Sequence, residues 1–192
     1  MNKHPLPIQV IPYSKARPLI KVGDGIGCRG GHIVSRAIRM FRGGAYDLSH
    51  WATIIRDTKI GISRRVKVFE FIGAGPRESY LSEAYCKDHG KLLWIPMNCT
   101  EEQQERMIDM AADLETMGTK YDHKTTFGAI FSSVLPFDVE KFNCSEGGWH
   151  LWSGSGRVPA RTNKKNVLIA PVPGDVPVWA DAPEIYELDM SA

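Results

Sequence analysis

The chain has 192 residues, of which 43% are hydrophobic and 24% are charged, and its formal net charge at pH 7 is +2. These values are ordinary for one globular domain that buries its own core. The small net charge argues against a nucleic-acid-binding protein, which usually carries a strongly basic face. The sequence lacks an apolar run of about 18 residues, so it predicts no transmembrane helix.

Short-range patterns predict the following elements in chain order. Predicted strands cover residues 19–27, 49–57, 64–73, 91–97 and 166–172, and predicted helices cover residues 32–41, 77–90, 100–118 and 143–152. Helices and strands do not alternate steadily, so the predicted class is α+β.

The sequence predicts one domain over residues 1–192, with a core at about 19–172. Residues 1–18 and 173–192 are rich in proline and are expected to be peripheral extensions. The N-terminal segment lacks the uninterrupted apolar stretch of a signal peptide, so the expected location is cytoplasmic. For that compartment the four cysteines are expected to be free thiols: Cys28, Cys86, Cys99 and Cys144.

The clearest predicted helix covers residues 100–118. Thr100 and Gln103 have the spacing of a capping box, in which each side chain satisfies a backbone N–H near the helix start. An apolar stripe follows at helical spacing and is expected to pack in the core: Met107, Met110, Ala111, Leu114 and Met117.

Cys144 is the first candidate for chemistry. Asn143 is a good N-cap residue, and Glu146 completes a capping-box pattern, so Cys144 is predicted to lie in the first turn of a helix. Unpaired N–H groups and the helix dipole stabilise an anion at that position, which suits a nucleophilic thiolate. The alternative is a small buried apolar residue, as most free cysteines are.

A nucleophilic cysteine needs a base and a group that orients the base. His50 is the best candidate because it opens a strand that is covered on both faces, while His32 and His123 remain alternatives. Glu70 follows on the next strand, on an otherwise apolar face, where a carboxylate needs a partner. The competing interpretation of His50 is a structural histidine, and that of Glu70 is a carboxylate on an exposed strand edge.

Several segments together resemble the permuted NlpC-like papain-fold proteins, and in particular their YiiX/YaeF-like branch. In chain order these are LIKVGDGIG, SRAIRMF, LSHWATIIRD, VFEF, GTKYD and KFNCSEGGWHLW, over residues 19–152. The resemblance implies a circularly permuted papain-like (NlpC-type) fold, with a small antiparallel sheet or half-barrel packed against helices. It also implies that His50, Glu70 and Cys144 form a catalytic triad.

The same resemblance implies that Tyr121 and Asp122 line the site. Ser49, at the same strand start as His50, and Trp149 are further candidates for substrate binding, although Trp149 also suits core packing. The chain departs from the family at residues 147–148, where paired glycines replace larger apolar residues. We expect that pair to permit either close packing or a wider cleft.

The implied activity is cleavage or transfer at an amide or ester carbonyl. We expect a cysteine peptidase or amidase that hydrolyses a peptide or N-acyl bond through an acyl-enzyme, without a metal or cofactor. The alternatives are an acyltransferase or lipid-ester hydrolase, and a papain-like domain that binds a ligand without catalysis. The expected partner is a small peptide, N-acyl or lipid-like substrate, with no nucleic acid and no stable membrane insertion.

Two other motifs point to different chemistry. The segment GIGCRG at residues 25–30 matches the spacing of a dinucleotide-binding turn, but a second βαβ unit is not evident. The pairs Cys28 with His32 and Cys86 with His89 have short spacings, but a zinc site needs about four ligands.

Overall fold

The computed structural model of the chain describes residues 6–31, 33–42, 44–60, 63–82, 90–122, 134–136, 141–162, 165 and 169–191. Within them the α-helices are α1 (Tyr13–Ala16), α2 (Ile33–Arg42), α3 (Glu101–Thr116), α4 (Cys144–Gly154) and α5 (Val176–Trp179). The strands are β1 (Gln9–Pro12), β2 (Gly25–Arg29), β3 (His50–Ile60), β4 (Ser63–Ile72), β5 (Gly75–Tyr80), β6 (Lys91–Ile95), β7 (Lys120–Tyr121), β8 (Val134–Pro136), β9 (Lys141–Phe142), β10 (Ile169–Pro171) and β11 (Tyr186–Asp189). None of the helices in these ranges combines the length and the apolar character needed to cross a membrane.

A seven-stranded sheet in the order β1-β11-β6-β2-β3-β4-β5 is the centre of the described structure. Its neighbouring strands are antiparallel except for β1 and β11, which are parallel. Helices α3 and α4 pack against the sheet through a core that includes Trp51, Phe71 and Met107. A second core cluster includes Ile26 and Val68. The architecture confirms the predicted α+β class, with a largely antiparallel sheet packed against helices.

The described parts of both segments that were expected to be peripheral, residues 1–18 and 173–192, contribute strands to this sheet. Strand β11 lies between β1 and β6 and pairs with both. Ile185 and Leu188 are 0% and 4% exposed, so the C-terminal segment belongs to the core. Local composition could not show this, because β1 and β11 come from opposite ends of the chain.

The strand predicted at residues 19–27 begins later, because a buried carboxylate organises the preceding turn. Asp24 accepts hydrogen bonds from Lys21 N, Trp94 Nε1 and Met97 N, each at 2.9 Å. Burial raises the pKa of Asp24, although these hydrogen bonds oppose the rise. The side chain therefore ties the entry to β2 to the end of β6.

The segment at residues 77–90, predicted as a helix, begins instead as strand β5. A tight turn after β4 brings β5 back antiparallel, so that Arg77 lies opposite Glu70 and Tyr80 lies opposite Lys67. Such cross-strand pairs stabilise a sheet, and here they outweigh the helix propensity of the segment. Leu81 and Ser82 are helical, and residues 83–89 of that predicted helix lie outside the described residues.

Helix α3 has the predicted capping box. Thr100 Oγ1 accepts from Gln103 N at 3.3 Å, and Gln103 Oε1 accepts from Thr100 N at 3.0 Å. Three positions of the predicted stripe are buried: Met107, Ala111 and Leu114. Met117 differs, with 74% exposure, because it caps the end of the helix and leaves the buried face.

Two glycines let α4 lie close to the sheet. A Cβ atom on Gly147 would lie 2.1 Å from Phe71 Cδ2, and one on Gly148 would lie 2.5 Å from Trp51 Cδ1. Atoms in close-packed interiors do not approach so closely, so larger residues would push the helix away. Of the two expectations for this glycine pair, the structure supports close packing.

Gly147→Ala is expected to lower the free energy of unfolding by about 1–3 kcal/mol, because buried Phe71 has little room to move. The better helix propensity of alanine returns at most about 1 kcal/mol. The matched control is Gly154→Ala in the same helix, where the new Cβ would meet the flexible end of Met110 at 2.3 Å. Urea unfolding measures both variants, and equal stability would contradict the packing role of Gly147.

Candidate active site

Cys144 is the first residue of α4, and a capping box fixes the start of that helix, as predicted. Asn143 Oδ1 accepts from Ser145 N at 3.1 Å and from Glu146 N at 3.0 Å, and Glu146 Oε2 accepts from Asn143 N at 2.7 Å. Cys144 is 7% exposed. The residue therefore lies at the positive end of the helix dipole, where a thiolate is stabilised.

His50 is the first residue of β3, and Ser49, which precedes it, connects the start of β3 to β2 by hydrogen bonds. Ser49 N and Ser49 Oγ donate to Cys28 O at 2.9 and 3.1 Å, and Ser49 Oγ accepts from Gly30 N at 3.0 Å. Ser49 is 4% exposed, so its hydroxyl serves the backbone that carries His50. The substrate contact expected for Ser49 stays a prediction.

The imidazole of His50 lies between Glu70 and Cys144. His50 Nε2 and Glu70 Oε2 are 2.7 Å apart, and a side-chain hydrogen bond joins His50 to Cys144. Because Nε2 faces the carboxylate, Nδ1 is the ring nitrogen left for the thiol. The His50 side chain is 24% exposed, so the site opens to solvent on the histidine side.

The charges on either side of His50 favour its protonated form. Burial lowers the pKa of His50, but the charge of Cys144, its hydrogen bond and the Glu70 carboxylate outweigh burial and raise the pKa to about 10. The imidazolium is therefore retained across neutral pH. A thiolate–imidazolium pair requires this charge state.

Glu70 is 3% exposed and is held by β5 as well as by His50. Arg77 Nη2 and Nε lie 2.7 and 2.9 Å from Glu70 Oε1, and Ser79 Oγ donates to the same oxygen at 3.1 Å. Burial raises the pKa of Glu70, but His50 and Arg77 outweigh burial and lower it to about 2. Sequence reasoning missed Arg77 and Ser79, because their segment was predicted as a helix. In a strand, residues two positions apart lie on the same face of the sheet, so a strand prediction would have placed both beside Glu70.

Two predicted lining residues lie beside the start of α4, and a third lies in the core. Tyr121 pairs with Phe142 between β7 and β9, and Asp122 N donates to Phe142 O at 3.0 Å. Trp149 is 1% exposed and meets Trp179 edge to face, with ring centroids 5.8 Å apart. The contacts of Trp149 are those of core packing, one of the two interpretations given for it. Substrate contacts of all three residues stay predictions.

His150 does not compete with His50 for the thiol. It lies on the same helix as Cys144 but packs near Phe142, with ring centroids 5.0 Å apart, and burial lowers its pKa. The alternative bases, His32 and His123, lie outside the described residues.

The glycines at residues 25–30 have a packing role in this fold. Gly25 and Gly27 lie within β2, where Cβ atoms would lie 2.3 Å from Trp51 and 2.4 Å from Leu48. They occur inside a buried strand, whereas a phosphate-binding motif places its glycines in the turn before a helix. This arrangement argues against the nucleotide-binding alternative.

The described residues also offer no group of three or more His, Cys, Asp or Glu side chains arranged to hold a metal ion. The two short pairs considered for zinc are Cys28 with His32 and Cys86 with His89. His32, Cys86 and His89 lie outside the described residues.

Glu70→Gln is expected to lower the free energy of unfolding at neutral pH by about 3 kcal/mol, because it removes one charge of a buried ion pair. The pKa of Glu70 in the fold, about 2, lies below its ordinary value of 4.5. The carboxylate therefore stabilises the fold above pH 4.5, and this contribution is lost as the pH falls towards about 2. Urea unfolding at several pH values should show the difference between wild type and variant closing in acid.

The control for Glu70→Gln is Glu78→Gln on β5, which removes a partly exposed carboxylate 3.1 Å from Lys67. The Glu78 side chain is 19% exposed and also lies 3.3 Å from Arg56 Nε, so solvent screens these pairs and the variant should cost less stability than Glu70→Gln. A Glu70→Gln penalty that stays constant with pH would contradict the role of the buried charge.

The sequence matches no protein-family model and no curated protein. The structure is similar to the crystal structure of the metalloprotein YiiX from Escherichia coli O157:H7, a DUF1105 protein. The two chains share 19% sequence identity, and the match, with a TM-score of 0.61, covers 89% of this chain and 97% of YiiX. Likeness at this identity concerns the fold alone. The chain therefore has a YiiX-like α+β fold, which confirms the fold expected from the sequence resemblance.

Proposed function

We propose that this protein is a thiol hydrolase that cleaves an amide bond, in a peptide or an N-acylated amine, through an acyl-enzyme on Cys144. The observation that carries the proposal is the continuous set of contacts from Cys144 through His50 to Glu70. The three residues come from α4, β3 and β4, so their meeting depends on the tertiary fold. A nucleophile, a base and a group that orients the base are the parts that covalent catalysis needs.

In the proposed reaction the Cys144 thiolate attacks the substrate carbonyl carbon, and an electron pair moves onto the carbonyl oxygen. The Cys144 backbone N–H, in the first turn of α4, is suited to donate to that oxygen. The C–N bond then breaks while His50 gives its proton to the departing amine. Water, deprotonated by His50, attacks the thioester, releases the acid and restores the thiolate–imidazolium pair.

The proton that His50 can donate favours amide cleavage among the activities considered. A departing amine needs that proton, whereas the alcohol of an ester is a better leaving group. Intact-protein mass spectrometry with N-acyl and ester substrates, in wild type and Cys144→Ala, separates acyl-enzyme formation from binding without catalysis, and the mass of the released products separates hydrolysis from acyl transfer.

A metal-dependent function is the alternative suggested by the description of YiiX as a metalloprotein. The candidate site does not fit a metal ion, because Glu70 Oε1 already contacts Arg77 and Ser79 and Oε2 faces His50. A cation would compete with the guanidinium for the same carboxylate. The proposed mechanism therefore contains no metal-dependent step.

The proposed function predicts that iodoacetamide alkylates Cys144 at least about 10-fold faster than Cys99 at about pH 6, where ordinary thiols are protonated. Burial raises the pKa of the Cys99 thiol to about 11, so Cys99 is a slow internal reference. His50→Gln should remove the advantage of Cys144, because it removes the paired imidazolium. Peptide mass spectrometry measures both rates against pH.

His150→Gln is the matched control for His50→Gln, since it removes a histidine from the Cys144 helix without touching the thiol. Its Cys144 labelling profile should equal that of the wild type. If Cys144 is labelled slowly, with the pH profile of an ordinary thiol and identically in wild type and His50→Gln, the enzyme proposal is wrong.

Prolonged dialysis against EDTA is expected to leave the Cys144 alkylation rate unchanged, because the thiolate is paired with His50. Faster labelling after dialysis would show that a bound metal had protected the sulfur, and would favour the metal-dependent alternative.

A further inference from the structure

We propose that Arg77 is a positioning residue of this site, which keeps the proton of His50 transferable by neutralising Glu70 from the side opposite the imidazole. The inference rests on the proposed function, because it concerns the proton that His50 delivers to the leaving group. It assigns a role to strand β5, which contributes none of the three triad residues.

The geometry divides the two oxygens of Glu70 between separate partners. Oε2 faces His50 Nε2 at 2.7 Å, while Oε1 is 2.7 and 2.9 Å from two nitrogens of Arg77. Ser79 Oγ donates to Oε1 at 3.1 Å. Rotation of the carboxylate would break contacts on both sides, so Arg77 and Ser79 fix the oxygen that His50 uses.

In the thiolate–imidazolium state that the proposed function requires, the charges along the site alternate: Arg77 is positive, Glu70 negative, His50 positive and Cys144 negative. In that state, with Arg77 in place, these four charges sum to zero. Without Arg77, the negative charge of Glu70 acts on His50 uncompensated, and the imidazolium holds its proton more tightly. The Arg77 side chain is 46% exposed, so solvent reduces this effect without removing it.

Other groups approach His50 from each described element that packs around it. Glu70 does so from β4 and Cys144 from α4, while Cys28 on β2 is the register partner of His50 and is 6% exposed. Strand β5 contributes Arg77, which contacts Glu70. Arg77 supplies the positive charge on the far side of Glu70, so removal of Arg77 tests the proposal specifically.

The experiment compares Arg77→Ala and Arg77→Lys with a matched control, Arg56→Ala. Arg56 is a similarly exposed arginine on β3, 50% exposed, whose Nε lies 3.3 Å from Glu78 Oε1 instead of Glu70. The first readout is the NMR titration of the His50 imidazole, assigned by the signal lost in His50→Gln. The second readout is the pH profile of Cys144 alkylation.

In Arg77→Ala the His50 titration midpoint should move to higher pH by roughly 0.5–1 unit. The acid limb of Cys144 alkylation should also move to higher pH, because removal of a positive charge from the site disfavours the thiolate. Arg77→Lys should restore both profiles, and Arg56→Ala should match the wild type. If Arg77→Ala fails to fold, Arg77→Gln removes the charge with less change in shape and carries the same expectation.

A His50 midpoint that is unchanged in Arg77→Ala, or that moves to lower pH, overturns the proposal. An equal shift in Arg56→Ala also overturns it, because a general loss of positive charge would then explain the result. Failure of the proposed function is separate: Cys144 would label as an ordinary thiol in the wild type, while the NMR titration would still measure the effect of Arg77.

Discussion

Glu70 carries a negative charge at a position that is 3% exposed, and the rest of the site depends on how that charge is compensated. An uncompensated buried carboxylate costs several kcal/mol, so its partners are a condition for folding. His50 supplies one partner from β3, and Arg77 and Ser79 supply the others from β5. The strand order β3-β4-β5 thus satisfies a folding requirement and aims the imidazole at the same time.

The second requirement is that the helix carrying the thiol lies at a fixed distance from this sheet. Gly147 and Gly148 meet Phe71 and Trp51 at a spacing that side chains would prevent. Covalent catalysis depends on positions held to fractions of an ångström, because small displacements of a nucleophile cost large factors in rate. Gly147 and Gly148, which stand where the permuted papain-like proteins have larger apolar residues, therefore affect the position of Cys144 as well as the stability of the fold.

Features encoded over a few residues could be predicted from the sequence. The capping boxes at Thr100 and Asn143 depend on side chains three positions apart, and both are present. The grouping of His50, Glu70 and Cys144 is not a local property. It came from the resemblance to permuted papain-like proteins, and the structure brings these residues together.

The predictions that were wrong concern segments whose structure depends on pairing with another strand. β5 was predicted as part of a helix because its composition favours one, and only its register with β4 shows that Arg77 faces Glu70. The role of β11 depends on β1 and β6, which no pattern within its own residues reveals. The contacts of the Ser49 hydroxyl with the backbone of β2 also depend on strand pairing, and its expected substrate contact stays a prediction.

The parallel pairing of β1 with β11 has a consequence for how the chain reaches its folded state. Gln9 pairs with Tyr186, so the two strands of this pair lie far apart in the sequence, with every other strand of the sheet between them. Contacts with such long sequence separation carry a large loop-closure entropy and slow folding. The β2-β3-β4-β5 meander, which contains His50 and Glu70, is local by comparison and can form earlier. Completion of the sheet at β11 would then be a late step, during which β6 has an open edge that is prone to intermolecular pairing.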